Sequence, residues 1–517
     1  MKRRSLFLLV FLIASLISCG TLQQYNAETN KRETVLDRVT HIERDLYLEV
    51  PKVPRLCGQL DLKSQRINVG DCELYVEEDG KGTPIVLLHG GPGATHHYFH
   101  SYFSRANKFS KIIYYDQRGC GISGFCPGQG YSVDQASNDL ENLRKALHID
   151  KWIVLGHSYG GLLAQYYSLK YPESLAGLVL VGASEGMHVP LKPTRQYDFF
   201  SNEEKARMKQ IRTELGKLLN EKKMSQEKFV GLLIYNNFLN GDWKRQGFYK
   251  PTKERFAQIA LYEWKQDANF NNIMSQDLDK IDLQDAFEGC PIPTIIMEGQ
   301  WDLTWNTDKR EVLHNNHPGS RLAIFENSSH SPFEDEPERF FSVLNDFVQS
   351  LSQISPAEIS GWKQYLVGWK KTQEASFSYI LRSTGYGRKS NEKIASLYSK
   401  EWLEKLQYPD ELYKSALALY DVAKYDDALA LFKKMSEALH QGPENRAYSA
   451  EALIWQGFML DLLGKRDEAI SVYKKVGEMN VNSIWSHAQF GLNYAPSPYA
   501  AEKIKEPFKR VENRQED

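Results

Sequence analysis

The sequence predicts an α/β domain with a mostly parallel sheet covered on both faces, followed by an all-α domain. Three observations predict it. Short apolar runs alternate with helical patterns between about residues 65 and 184, as parallel strands packed between layers of helices require. That alternation stops from about 185 to 289 and resumes at 294. Beyond 355 only helical periodicity remains. At 517 residues the chain exceeds one ordinary core, and its 42% hydrophobic and 25% charged composition is globular. A formal net charge of −2 gives no electrostatic reason to expect a nucleic-acid partner.

The elements follow in order. Met1-Lys2-Arg3-Arg4 is basic, Leu6 to Ile13 is apolar, and Leu16-Ile17-Ser18-Cys19 closes the segment. The apolar run is too short to span a bilayer. The pattern resembles a bacterial lipoprotein signal, which implies cleavage before Cys19 and lipid on its thiol. The expected location is therefore the periplasmic or cell-surface side of a membrane. Residues 20–45 read as a polar tether, and 46–350 as the α/β domain. Gln65–Val69 and Glu73–Glu77 flank Gly70-Asp71 as a hairpin. Strands are expected at Ile85–Leu88, Ile112–Tyr115, Trp152–Leu155 and Leu178–Val181, with a helix at Val133–Leu147. Three helical stretches, Glu203–Glu221, Gln226–Leu239 and Lys253–Lys265, make 185–289 a cap over the C-terminal edge of the sheet. Thr294–Met297 and Arg321–Phe325 are the returning strands, and a helix from Pro337 to about Ser350 closes the domain.

Residues 355–517 read as helical, with a weak internal repeat. Leu412, Ala416, Leu419, Ala428, Phe432 and Met435 match Leu453, Gly457, Leu460, Ala469, Tyr473 and Val476 in spacing. Gly464 sits at the turn of the second copy, and Gln441–Glu444 joins the copies. The pattern resembles tetratricopeptide repeats, whose small residues let paired helices approach. Flanking helices are expected near Glu358–Leu381 and Ser483–Leu492. Such a module implies a protein partner.

The chemistry centres on Gly156-His157-Ser158-Tyr159-Gly160, directly after an apolar strand. A serine at a sharp strand-to-helix turn needs neighbours without bulk, and Gly156 and Gly160 supply them. A serine hydroxyl is a poor nucleophile, so Ser158 needs a base, and the base needs an orienting acid. Asp302 follows one strand in Gly299-x-x-Asp302 and fits the acid, with Asp308 and Glu298 as rivals. His330 follows the next strand and fits the base. Backbone donors for an oxyanion are expected from Tyr159 and from His89-Gly90-Gly91-Pro92-Gly93, with Gly91 preferred and Gly90 the alternative. No Cys/His spacing resembles a zinc site; His314-x-x-His317 reads as a solvated pair in a loop. Cys57, Cys72, Cys120, Cys126 and Cys290 read as small buried residues, although export would permit one or two disulfides.

At these residues the chain resembles the α/β-hydrolase fold, and within it the proline iminopeptidase family of serine aminopeptidases. The matching motifs are His89-Gly90-Gly91-Pro92-Gly93, Asp116-Gln117-Arg118-Gly119-Cys120-Gly121-Ile122-Ser123, Gly299-x-x-Asp302 and His330-x-x-x-Glu334-x-Glu336-Pro337-Glu338. The resemblance covers about 65–350 and implies release of an N-terminal residue, often proline, from short peptides, without metal or cofactor. The proline-specific members carry a Gly-Gly-Ser-Trp-Gly elbow; Gly-His-Ser-Tyr-Gly is closer to broader aminopeptidases and to other hydrolases, so small esters are the alternative substrates. In the family, cap glutamates hold the substrate's α-ammonium. Glu263 in Leu261-Tyr262-Glu263-Trp264 is the candidate here, with Glu185 and Glu204 as weaker options.

Overall fold

The structure, a computed structural model, describes residues 23–26, 31–34 and 46–511, apart from 125–129, 187–200, 243–251, 303–308, 402–405, 407–408, 440–445, 483–484, 488–489 and a few isolated positions. The lipoprotein-like segment with Cys19, together with Cys126, Asp308 and the Gln441–Glu444 connection, lies outside the described residues. Within the tether, Gln23–Asn26 and Lys31–Thr34 pair as a short antiparallel hairpin. Two compact units are present, the first running to Leu366 and the second from Val367 onward. The boundary thus falls inside the helix Pro356–Glu374 rather than near 355.

The first unit is built on eight strands: β1 (Lys63–Asn68), β2 (Glu73–Asp79), β3 (Thr83–Leu88), β4 (Ser110–Tyr115), β5 (Trp152–His157), β6 (Leu175–Val181), β7 (Thr294–Gly299) and β8 (Arg321–Phe325). Their spatial order is β8-β7-β6-β5-β3-β4-β2-β1. The six from β8 to β4 run parallel, and β1 and β2 form the predicted hairpin on the antiparallel edge. Alternate side chains of a strand point to opposite faces. Ile85, Leu87, Ile153 and Leu155 join Phe99, Phe333 and Phe340 on one face. Val86, Leu88, Val154 and Leu180, in the other phase, are buried as well. Both faces are therefore covered, which is why these strands read as unbroken apolar runs.

Strand order reverses on either side of β3, since β4 lies to one flank and β5 to the other. The carboxyl ends of such strands open a crevice where ligands bind. The cap helices are α1 to α3 of this region: α1 (Asn202–Asn220), α2 (Gln226–Asn237) and α3 (Lys253–Gln258). They fall within a residue or two of expectation, except that the last two continue as π-turns at Phe238–Asp242 and Ile259–Glu263. The cap is seated on the crevice by backbone and side-chain bonds. Thr95 Oγ1 donates to Tyr262 O at 2.9 Å, Gly121 N to Lys265 O at 2.6 Å, and His97 Nε2 bonds Gln258 Oε1 at 2.9 Å.

In the second unit, helices Pro409–Asp421, Tyr425–Leu439, Arg446–Leu462 and Arg466–Glu478 form two consecutive antiparallel pairs. The repeat positions are core: Ala416, Leu419, Ala428, Phe432, Met435, Leu460, Ala469, Tyr473 and Val476 are all buried. A Cβ on Gly457 would stand 2.2 Å from the Tyr473 ring, so the small residue is set by helix approach. The stretch near Glu358–Leu381 is helical as two elements, Pro356–Glu374 and Phe377–Ser383, because Ser376 caps the second through Tyr379 N at 3.1 Å. One expectation is corrected: in the stretch expected as a helix near Ser483–Leu492, the described residues form strands Trp485–His487 and Leu492–Tyr494. Leu492 and Tyr494 alternate inward with exposed Asn493, a period of two rather than 3.6.

Candidate active site

Ser158 stands at the turn between β5 and the helix Tyr159–Lys170. Its backbone is at φ 57°, ψ −124°, a region that costs a non-glycine residue about 1–3 kcal/mol. Neighbours hold it there: Ser158 N donates to Val181 O at 3.0 Å, while Gly161 N and Ser184 N both donate to Ser158 O at 2.9 Å. The glycine argument holds at both positions. A Cβ on Gly156 would meet Gly160 O at 2.1 Å, and one on Gly160 would meet Leu88 O at 2.1 Å. Gly90 packs against the same serine, its Cβ position 3.4 Å from Ser158 Oγ.

Asp302 and His330 meet across β7 and β8. His330 Nδ1 lies 2.8 Å from Asp302 Oδ2, with both side chains mostly shielded. A carboxylate accepts, so Nδ1 carries the proton and Nε2 is left as the basic nitrogen. Gly299 matters by close approach rather than by a left-handed turn: a Cβ there would stand 1.8 Å from Ser329 O, in the residue before His330. The motif after His330 fixes its loop. Ser329 N donates to Asp335 Oδ2 at 2.8 Å, and Asn327 N to Glu336 Oε2 at 2.8 Å. Glu298 is buried, and its Oε1 accepts from Ala183 N at 3.2 Å.

Two residues not singled out from the sequence complete the frame. His157 Nε2 lies 2.9 Å from His330 O, and its ring packs 4.8 Å from the His330 ring. A carbonyl only accepts, so this nitrogen is protonated and, in the neutral ring, Nδ1 accepts from Tyr98 Oη at 3.0 Å. Tyr98 Oη in turn accepts from Gly90 N at 2.6 Å. One chain of hydrogen bonds thus ties the His89–Gly93 loop to the elbow and to His330. It also occupies the Gly90 amide, which leaves Gly91 as the glycine donor to consider. His89 anchors the loop from below: its Nε2 accepts from Gln117 N at 3.0 Å, and burial lowers its pKa to about 4, so it is neutral. Arg118 of the same Asp116–Ser123 motif is a brace, gripping Asp139 through two bonds of 2.8 Å.

Glu263 is buried, and its carboxylate is paired with Arg255. Burial raises the Glu263 carboxyl despite the pull of that guanidinium. Arg255 Nε also donates to Glu334 Oε1 at 2.8 Å. The candidate for the α-ammonium, Glu263, thus already faces a cation on its own cap segment. The unpartnered oxygen of the cluster is Glu334 Oε2, which is buried without a hydrogen bond. Glu204 is used in a capping box with Ser201, whereas Glu185 Oε2 is buried and unpartnered. His317 corrects another expectation: it is buried, bonds Gln165 Oε1 at 3.0 Å and stacks on Phe287 at 3.8 Å. Burial lowers its pKa to about 3. Cys57, Cys120 and Cys290 are free thiols, and Cys72 Sγ donates to Gly124 O at 3.4 Å. Among the described residues no helix is long and apolar enough to cross a membrane.

A family model described as alpha/beta hydrolase fold matches residues 83–337. A proline iminopeptidase of Saccharolobus solfataricus is 30% identical over 283 residues, covering 53% of this chain and 88% of that protein. A proline iminopeptidase of Heyndrickxia coagulans is 26% identical over 287 residues, covering 53% of this chain and 93% of that protein. Among solved structures, an esterase from Exiguobacterium antarcticum is similar at a TM-score of 0.41 and 26% identity, covering 54% of this chain and 96% of its own. By the sheet order, the elbow at Ser158, the family-model match and the Saccharolobus relative, the chain belongs to the α/β-hydrolase superfamily.

Proposed function

We propose that the chain is a serine hydrolase whose triad is Ser158, His330 and Asp302, and that it is an aminopeptidase of the proline iminopeptidase type acting on short peptides. The observation that supports this reading is the His330–Asp302 contact at 2.8 Å, which leaves Nε2 of His330 to act as the base, with its ring packed on that of His157, the residue before the strained Ser158. Ser158 Oγ attacks the carbonyl carbon as its proton passes to His330 Nε2. The carbonyl oxygen becomes an oxyanion and takes hydrogen bonds from the Tyr159 and Gly91 amides. Collapse expels the amine with the proton from His330, leaving an acyl-enzyme. Water, deprotonated by the same nitrogen, then attacks the ester and releases the acid and Ser158. Asp302 keeps the imidazole in the required tautomer throughout.

An aminopeptidase must also hold a protonated α-amine, and the cluster of Glu263, Arg255 and Glu334 contains one more acid than base. Glu334 Oε2, with no other partner, is the acceptor that supports an ammonium subsite. The second reading is a carboxylic-ester hydrolase on the same machinery, and the Arg255–Glu263 pairing favours it, because it removes the cap charge expected to bind the amine. Prolyl and alanyl arylamides, their N-acetylated forms and short acyl esters separate the two. Turnover that is lost on N-acetylation supports the aminopeptidase. Unchanged turnover of blocked substrates, or turnover of esters alone, supports the esterase. No turnover of any of them sinks both.

The remaining parts of the proposal concern placement. Cleavage before Cys19 and lipidation of its thiol would anchor the enzyme on the exported side of a bacterial membrane. The paired helices of the second unit are proposed to be tetratricopeptide-like and to bind a protein partner.

A further inference from the structure

Beneath the candidate oxyanion loop lies a second cluster that the hydrolytic mechanism does not use. The short 3-10 turn His96–Phe99 follows the loop, and His100 caps it. Glu77 on β2, His96 and His100 bring a carboxylate oxygen and two ring nitrogens within 4.8 Å of one another, and all three residues are buried. His96 Nε2 lies 3.9 Å from Glu77 Oε1, and His100 Nε2 lies 2.8 Å from Glu77 Oε2. The first is too long for a hydrogen bond, and the second is a close ion-pair contact. His96 Nε2 and His100 Nδ1 are buried without a hydrogen-bond partner. Each such orphan costs about 1–3 kcal/mol, so two rings left unsatisfied beside one carboxylate call for something that satisfies them together.

We propose that Glu77, His96 and His100 bind a divalent transition-metal ion of the zinc class. One ligand atom of each residue lies within 4.8 Å of the other two, and a tetrahedral zinc, whose ligand atoms stand about 3.3 Å apart, asks them to close only slightly. The surroundings are those of a metal site. Asp116 Oδ1 accepts from His96 Nδ1 at 2.6 Å, which leaves Nε2 free to ligate, the carboxylate–histidine–metal arrangement. Tyr75 Oη donates to Glu77 Oε1 at 2.6 Å and turns the other oxygen toward the rings. His100 is held flat against Tyr114 at 4.4 Å. Two imidazoles and one carboxylate suit zinc or a neighbour in its series, whereas calcium and magnesium require more oxygen donors. No spacing in the sequence announces this set, because Glu77 comes from a strand distant from the turn that carries the rings. Its role is to pin the turn that follows Gly91, so it is a structural site beside the catalytic one.

The test is metal content. The full chain, extracted in detergent and purified without chelator or immobilised metal, is analysed by plasma mass spectrometry as isolated and after refolding with zinc or cobalt(II). About one ion per chain is expected, with the visible bands of a tetrahedral cobalt site in the cobalt form. Glu77→Gln and His100→Gln should each weaken binding about tenfold or more, while Ser158→Ala leaves it intact. The cobalt spectrum of the unsubstituted chain keeps the test decisive should a variant fail to fold. Absence of bound metal in both the isolated and refolded protein, or full binding in both ligand variants, overturns the proposal and leaves a proton shared among these groups.

Discussion

Removing one hydroxyl, in Tyr98→Phe, separates a positioned loop from a merely packed one. Tyr98 Oη accepts from Gly90 N at 2.6 Å and bonds His157 Nδ1 at 3.0 Å, both in the interior. Phenylalanine fills the same space, so no cavity opens and the whole effect is polar. Two buried groups lose their partner, each at about 1–3 kcal/mol, and the gain in apolar surface offsets part of this. A net loss of about 3 kcal/mol is expected, which lowers Tm by about 4 °C in a unit of this size. The catalytic consequence follows from what the chain of bonds joins: the loop with the Gly91 amide, the elbow, and the backbone of His330. We expect kcat to fall about 10- to 100-fold on the best arylamide or ester substrate, with KM changed less than about threefold, because donor alignment matters most in the transition state. Thermal unfolding followed by near-ultraviolet circular dichroism and steady-state kinetics give both numbers. A variant with unchanged Tm and unchanged kcat would refute the network argument.

Three further outcomes are expected. Gly160→Ala places a Cβ 2.1 Å from the Leu88 carbonyl oxygen, a backbone atom that cannot move aside, and should cost about 3 kcal/mol and abolish turnover; a folded, active variant would contradict the packing at the elbow. Burial pushes the Glu141 carboxyl up, but bonds from Arg144, Tyr167 and Ser174 outweigh it and hold the pKa at about 2, against 4.5 for the free group. Its stabilisation is thus complete above pH 4.5 and is lost as pH falls toward 2; Glu141→Gln should flatten the urea midpoint across that window, removing about 3 kcal/mol of pH dependence. In the second unit, Gly457→Val drives a side chain into Tyr473 and should destabilise the helix pairs by about 1–3 kcal/mol, seen as a lower denaturation midpoint with hydrolytic activity retained.

Local chemistry made much of this legible. Gly156 and Gly160 read correctly because a close backbone approach leaves no alternative to glycine. The positions of Asp302 and His330 followed from chain order after two strands, and the structure brings them together. What escaped is contact between distant segments. Tyr98 sits in an aromatic-rich turn that reads as core, and its partner His157 is 59 residues away. The pairing of Glu263 was not legible because Arg255 faces it only through the turn of a π-helical segment, and Glu334 reaches the same guanidinium from 79 residues away. His317 read as solvated beside Pro318-Gly319, yet its ring is covered by Phe287. The strands at 485–494 were missed because three-residue runs carry too little periodicity to choose between 2 and 3.6.

The central claim is that Ser158 is a nucleophile activated by His330 held on Asp302. Active-site labelling tests it most directly. The full chain is treated with a fluorophosphonate, digested and mapped by mass spectrometry. One phosphonyl adduct, on the peptide containing Ser158, is expected, with labelling greatly slowed in His330→Gln and absent in Ser158→Ala. An unlabelled Ser158, or labelling as fast without His330, would contradict the claim.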